Sequence, residues 1–192
     1  AMGATVSIGQ SIGAGNKKRA SVFVGNTMIL FMGISLVLAV LLLFFVKPAV
    51  AVMSTPAEAV SGTAAYLTIC FLGIPFITAY NVISSIFRGL GDSKSPMYFI
   101  TVACAVNIIL DYLFIGFFHL GASGAALGTT LSQACSVLFA LIAIKRKQTG
   151  LSLSGDCFRP QKKPLGKILN IGIPVALQDG FIQVAFIIIS VI

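Results

Sequence analysis

Apolar residues fill this chain in long blocks, and polar residues gather in the short gaps between them. Five blocks reach membrane-spanning length: residues 20–46, 64–87, 97–118, 122–144 and 167–192. Each is at or beyond the ~20 residues needed to cross a hydrocarbon core ~30 Å thick. A transmembrane β-strand would instead alternate over ~10 residues, which these blocks do not do. The pattern predicts an all-α, polytopic helical membrane protein. The opening residues, to Gly13, read as the inner end of one more helix. The chain closes inside an apolar run, so it reads as a segment of a longer polypeptide, with the remainder of its own chain missing.

The gaps orient the blocks. Lys17, Lys18 and Arg19 precede the first block, and Arg88 and Lys94 join the second to the third. Lys145, Arg146, Lys147, Arg159, Lys162, Lys163 and Lys167 join the fourth to the fifth. The two intervening loops hold a single basic residue, Lys47. Basic and non-basic loops therefore alternate, and the positive-inside rule assigns loops 14–19, 88–96 and 145–167 to the cytoplasm of a multi-pass plasma-membrane protein. Composition agrees: 57% of the 192 residues are hydrophobic and 9% charged, against about a quarter charged in soluble domains. Mean hydropathy is +1.02. The net charge of +8 follows topology rather than one face, so nucleic acid is not an expected partner.

Against this background one acid stands out. Asp111 lies deep in the block 97–118, which carries no other charge. A carboxylate at that depth is costly and ordinarily faces a bundle interior or a wet cavity. Asn107 is four residues earlier and shares its helix face. Asp111 and Thr129 each lie about nine residues from the turn near Leu120, roughly 13 Å along an α-helix. Helices joined by a short turn are antiparallel neighbours, so Asn107, Asp111 and Thr129 are expected to converge. A carboxylate, an amide oxygen and a hydroxyl are hard donors suited to an alkali cation such as Na⁺. Asp111 alone would suit a proton. Three donors are too few for a full cation shell, so water or another helix must complete it. No other metal and no cofactor are expected. A second acid, Asp179, lies inside the fifth block between Gln178 and Gln183. This polar stripe reads either as a substrate or ion pathway or as a structural hydrogen-bonding face.

The other features favour packing. Small residues recur through Gly121-Ala-Ser-Gly124-Ala-Ala-Leu-Gly128, the spacing that lets membrane helices approach closely. Cys70, Cys104, Cys135 and Cys157 show no Cys-x-x-Cys spacing and read as fillers and a loop thiol. His119 reads as a loop histidine, and Pro75 and Pro174 as kinks within spans. Gly9-Gln-Ser-Ile-Gly13-Ala-Gly15 reads as a helix end with a glycine stop. It does not lead into the Gly-Lys-Ser/Thr of a phosphate loop. No Ser/His or His-rich arrangement points to an enzyme.

Four segments in order, Gly9-Gln-Ser-Ile-Gly-Ala-Gly15, Arg88-Gly-Leu-Gly-Asp-Ser-Lys-Ser-Pro96, Asn107-x-x-x-Asp111 and Gly121-Ala-Ser-Gly-Ala-Ala-Leu-Gly-Thr129, resemble the multidrug and toxic compound extrusion (MATE) family. The resemblance covers essentially the whole chain and implies part of a two-lobe, twelve-helix transporter. It implies amino-terminal-lobe helices over 1–147, a cytoplasmic interlobe linker over 148–166 and the first helix of the second lobe over 167–192. Ile171-Gly-Ile-Pro-Val-Ala-Leu-Gln178 is similar to the family's opening of that lobe. By the same resemblance Asn107, Asp111 and Thr129 would be three positions of a cation site, whose first-helix acid is not in this sequence. The implied activity is secondary active efflux of small organic, cationic or amphipathic solutes across the lipid bilayer, driven by Na⁺ or H⁺. The alternatives are a lipid-linked oligosaccharide flippase of related fold, for which the spans lack basic residues, and a non-transporting membrane scaffold fragment.

Overall fold

The computed structural model describes residues 2–52, 59–146 and 161–191. Within them the chain is helical: α1 (Met2–Gly13), α2 (Lys17–Phe44), α3 (Val46–Val52), α4 (Val60–Gly89), α5 (Lys94–Asp111), a π-helical continuation of α5 (Tyr112–Phe117), α6 (Gly121–Arg146) and α7 (Lys162–Val191). Among the described residues five helices are long and apolar enough to cross a membrane, and they coincide with the five apolar blocks. Helices α2, α5 and α7 begin three to five residues before their blocks do, because their first turns carry basic residues that hydropathy alone assigns to loops. So α7 begins at Lys162, within the stretch expected as linker; residues 147–160 of that stretch lie outside the described residues, as does Cys157.

Glycine and asparagine punctuate the helices. Gly15, at φ 72°, ends α1: its N–H bonds Ile12 O at 2.9 Å, and the Asn16 N–H bonds Ser11 O at 2.9 Å. Only a residue free to adopt left-handed backbone closes this paired carbonyl cap without strain. Gly91 (φ 83°) ends α4 in the same way, with Gly91 N–H on Arg88 O and Asp92 N–H on Phe87 O. Asn16 then caps α2, its side-chain oxygen accepting the Arg19 N–H at 2.9 Å, which satisfies one orphan donor of the first turn. Pro96 is the third residue of α5, within the turn where a missing N–H is harmless. Helices α4 and α7 run through Pro75 and Pro174.

The chain divides into two compact units. The first comprises residues 1–30, 85–92 and 150–192. In it α1 packs against the end of α4 and the beginning of α7. A side chain on Gly89 would meet Ile8 and the Thr5 carbonyl, and one on Gly3 would collide with the Ile168 carbonyl and the Gly172 backbone. Thr5 Oγ1 donates to Ser85 O at 3.1 Å. Ala4, Ile8, Phe23, Val24, Ile86 and Phe87 are buried around these contacts.

The second unit comprises residues 31–84 and 93–149. Its centre is the antiparallel α5–α6 pair. Gly124 sits against Phe114 and Leu120, and Ser136 Oγ donates to Phe99 O at 3.1 Å. Gly73 of α4 lets Thr130 of α6 approach, and Thr130 Oγ1 reaches Ile69 O at 3.5 Å. The small helix α3 was not expected; it follows α2 almost without a break, its Ala49 N–H bonding Phe45 O. Large apolar side chains at Val37, Phe44, Ile108, Phe117 and Leu138 are exposed, the arrangement of helices whose solvent is lipid rather than water.

Candidate functional site

Helix α6 presents Gly124 and Gly128 one turn apart toward α5, and this brings the two backbones close. Asp111 ends the α-helical part of α5, and its carboxylate faces Gly128. A Cβ placed on Gly128 would collide with Asp111 Oδ1. The side chain therefore fills the space that glycine leaves. Just beyond it the hydrogen-bonding widens from four-residue to five-residue steps, with Phe118 N–H on Leu113 O at 3.0 Å. Such single π-turns occur often at functional sites. His119, at φ 52°, turns the chain into α6.

Three polar atoms are buried along this seam without a hydrogen-bond partner: Asp111 Oδ1, Asn107 Nδ2 and Gln133 Oε1. A buried, unpaired polar atom typically costs ~1–3 kcal/mol, more when it is charged, so each is a place where a ligand or water would be stabilised. Beside them lies a cavity of about 270 Å³, lined by Tyr80 of α4, Ile100, Ala103, Cys104 and Asn107 of α5, and Thr129, Ser132 and Gln133 of α6. At ~30 Å³ per water it has room for a hydrated cation.

Of the residues expected to converge, Asn107 and Thr129 line this cavity. Asp111 packs one residue away, against Gly128. Tyr80, Ser132 and Gln133 were missed. Ser132 and Gln133 lie three and four residues after Thr129 on the same face, a signal that periodicity carries. Tyr80 comes from a different helix, and nothing in its local sequence announces it. Gln178, Asp179 and Gln183 lie on α7 in the other unit, where all three are exposed. Among the described residues Cys70, Cys104 and Cys135 are free thiols.

An all-helical, multi-pass membrane protein with one acid oxygen, Asp111 Oδ1, buried without a partner in a helix seam is the class these features define. The chain belongs to the MatE family, whose profile matches residues 1–113. It is 34% identical over 172 residues to the probable multidrug resistance protein YpnP of Bacillus subtilis (strain 168), covering 89% of this chain and 38% of that protein. It is 32% identical over 180 residues to the multidrug export protein MepA of Staphylococcus aureus (strain NCTC 8325 / PS 47), covering 93% of this chain and 40% of MepA. The outward-facing structure of a multidrug resistance MATE family transporter of the MOP superfamily superposes with a TM-score of 0.88 at 27% identity, over 97% of this chain and 42% of that one. The chain thus spans about two-fifths of the length of these relatives.

Proposed function

We propose that the protein is a secondary active multidrug exporter, expelling small organic, cationic or amphipathic solutes in exchange for Na⁺ or H⁺. In this reading residues 1–147 belong to the amino-terminal lobe of a two-lobe transporter, 148–166 form the interlobe linker, and 167–192 open the second lobe. The observation that carries the proposal is the Asp111 carboxylate, buried against Gly128 with one oxygen unpaired, beside a cavity that Asn107 and Thr129 line. The kinship to multidrug export proteins supports the substrate class.

The mechanism follows from the cost of that oxygen. An uncompensated carboxylate favours whichever lobe arrangement supplies a cation, a proton or water to it. Ion binding at Asp111, with Asn107 and Thr129 as further donors, therefore biases one arrangement. Solute binding favours the other, and alternation between them couples the two fluxes. Gln178, Asp179 and Gln183 are proposed as part of the solute or ion pathway.

The test is transport by the full-length protein in proteoliposomes with Na⁺ and pH gradients imposed separately. Asp111→Asn is expected to lower ion-driven transport by about 5- to 150-fold, the range of typical coupling free energies. The gradient that drives the unmodified protein identifies the ion. Undiminished coupled transport by the variant would overturn the assignment.

A further inference from the structure

The basic residues of the chain obey topology, but the structure does more with four of them. Lys18 and Arg19 from the start of α2, and Lys163 and Lys167 from the start of α7, line one concavity in the first unit. These pairs are separated by more than 140 residues of sequence, so their meeting is a product of the fold. The concavity holds about 380 Å³, and Asn16, Val22, Phe23, Gln161 and Pro164 complete its lining. That volume lies in the ordinary range for a small-ligand site.

Three features make this more than a crowd of surface charge. First, two of its four cations, Arg19 and Lys167, are held by neutral partners. Arg19 Cζ and Lys167 Nζ each lie 5.9 Å from the centroid of the Phe23 ring, and that ring is 2% exposed. Lys167 Nζ also donates to Gln10 Oε1 at 2.8 Å. Among the described residues no carboxylate lines the concavity, and none of the four cations is paired with one. Second, the positions are electrostatically unfavourable as they stand. Two helices begin here, and neither has an acid in its first turn; cations are disfavoured at the positive end of a helix dipole. An anion would reverse both that repulsion and the repulsion among the four. Third, the lining is amphipathic, with Val22, Phe23 and Pro164 beside the charged groups, at the face that the positive-inside rule assigns to the cytoplasm. Basic pockets between membrane helices at that face suit anionic lipid headgroups.

We propose that this concavity binds a phosphate-bearing anion: the phosphodiester of an anionic phospholipid from the cytoplasmic leaflet, or a soluble phosphate of the same chemistry. The apolar part of the lining suits the lipid. The site would dock the beginnings of α2 and α7 to each other through the bound phosphate.

The experiment uses the full-length protein in phosphatidylcholine nanodiscs with and without phosphatidylglycerol. Retained lipid is read by native mass spectrometry, and hydrogen exchange is followed at residues 16–23 and 161–167. Phosphatidylglycerol is expected to be retained over phosphatidylcholine and to slow exchange in both segments. Removing two charges in Arg19→Gln/Lys167→Gln should weaken retention roughly 25-fold, at about fivefold per basic residue. The charge-conserving Arg19→Lys/Lys167→Arg should stay within a few-fold of the unmodified protein. If inorganic phosphate in lipid-free detergent gives the same protection, and phosphatidylglycerol gives no more, the site holds and its ligand is soluble. If neither protects, or if Arg88→Gln/Lys94→Gln on another basic loop weakens retention equally, the proposal is overturned, because the attraction is then general to the surface.

Discussion

Two glycines show how differently the two units use close approach. Gly3 lets α1 meet the backbone of α7, where an added Cβ would strike the Ile168 carbonyl and come within 3.0 Å of the Gly172 nitrogen. Gly128 lets α6 meet α5, but what occupies the space is the Asp111 side chain. The polar groups around them differ in the same sense. In the first unit the fully buried Asn26 is matched on both sides: its Nδ2 donates to Val22 O at 2.9 Å, and its Oδ1 accepts the Gln161 N–H at 2.7 Å. It caps a helix across a packed contact. Among the described residues, the buried side-chain atoms left without partners there are hydroxyls, those of Ser7 and Thr27. In the second unit the unpartnered atoms include an amide nitrogen, an amide oxygen and a carboxylate oxygen. A hydroxyl is cheap to bury unpaired beside a carboxylate. The first contact satisfies its amide groups within the chain, whereas the second leaves an amide nitrogen, an amide oxygen and a carboxylate oxygen without a protein partner.

The sharpest way to break this contrast is at the glycines themselves, in the full-length protein. Gly3→Val meets backbone that has nowhere to go, and it is expected to destabilise by about 1–3 kcal/mol, seen as a lower thermal-unfolding midpoint with unchanged ion dependence of residual transport. Gly128→Ala meets a side chain that rotates away. It should reduce coupled transport by about tenfold, within the range of a typical coupling energy, with a smaller loss of stability. A reversal of these two outcomes would abolish the distinction. Asn26→Leu should cost about 1 kcal/mol in the unfolding midpoint, in line with buried hydrogen bonds between membrane helices, and leave ion dependence alone. The smallest expected change carries the most meaning. Gln133→Leu removes an unpartnered buried oxygen, so stability should hold or rise by up to about 1 kcal/mol, while transport falls. A clear loss of stability would show that Gln133 is structural.

The helices were legible because the bilayer imposes so coarse a filter: a run of apolar residues from 97 to 118 has few alternatives to a span. Their ends were less so. Lys17 and Lys162 open helices although hydropathy alone assigns them to loops, and α3 hides in an apolar stretch that reads as the tail of α2. The α5–α6 register was readable because a short turn at Leu120 fixes the pairing, and the close contact falls at Gly128, one residue from Thr129. What sequence does not carry is contact between distant segments. Tyr80 joins the cavity only through the packing of α4. Asn26 reads as an incidental amide until Gln161 is folded onto it, and Lys18 and Lys163 read as two separate topology signals until they share one wall.

The π-turn over Tyr112–Phe117 has one more consequence. An α-helix advances each residue by a fixed 100°, so the acid at 111 and the corner at His119 would ordinarily be locked in phase. A stretch with wider steps shifts that phase by a fixed amount. The corner at His119 is therefore reached at an azimuth that an unbroken α-helix would not give it, while the carboxylate keeps its place opposite Gly128.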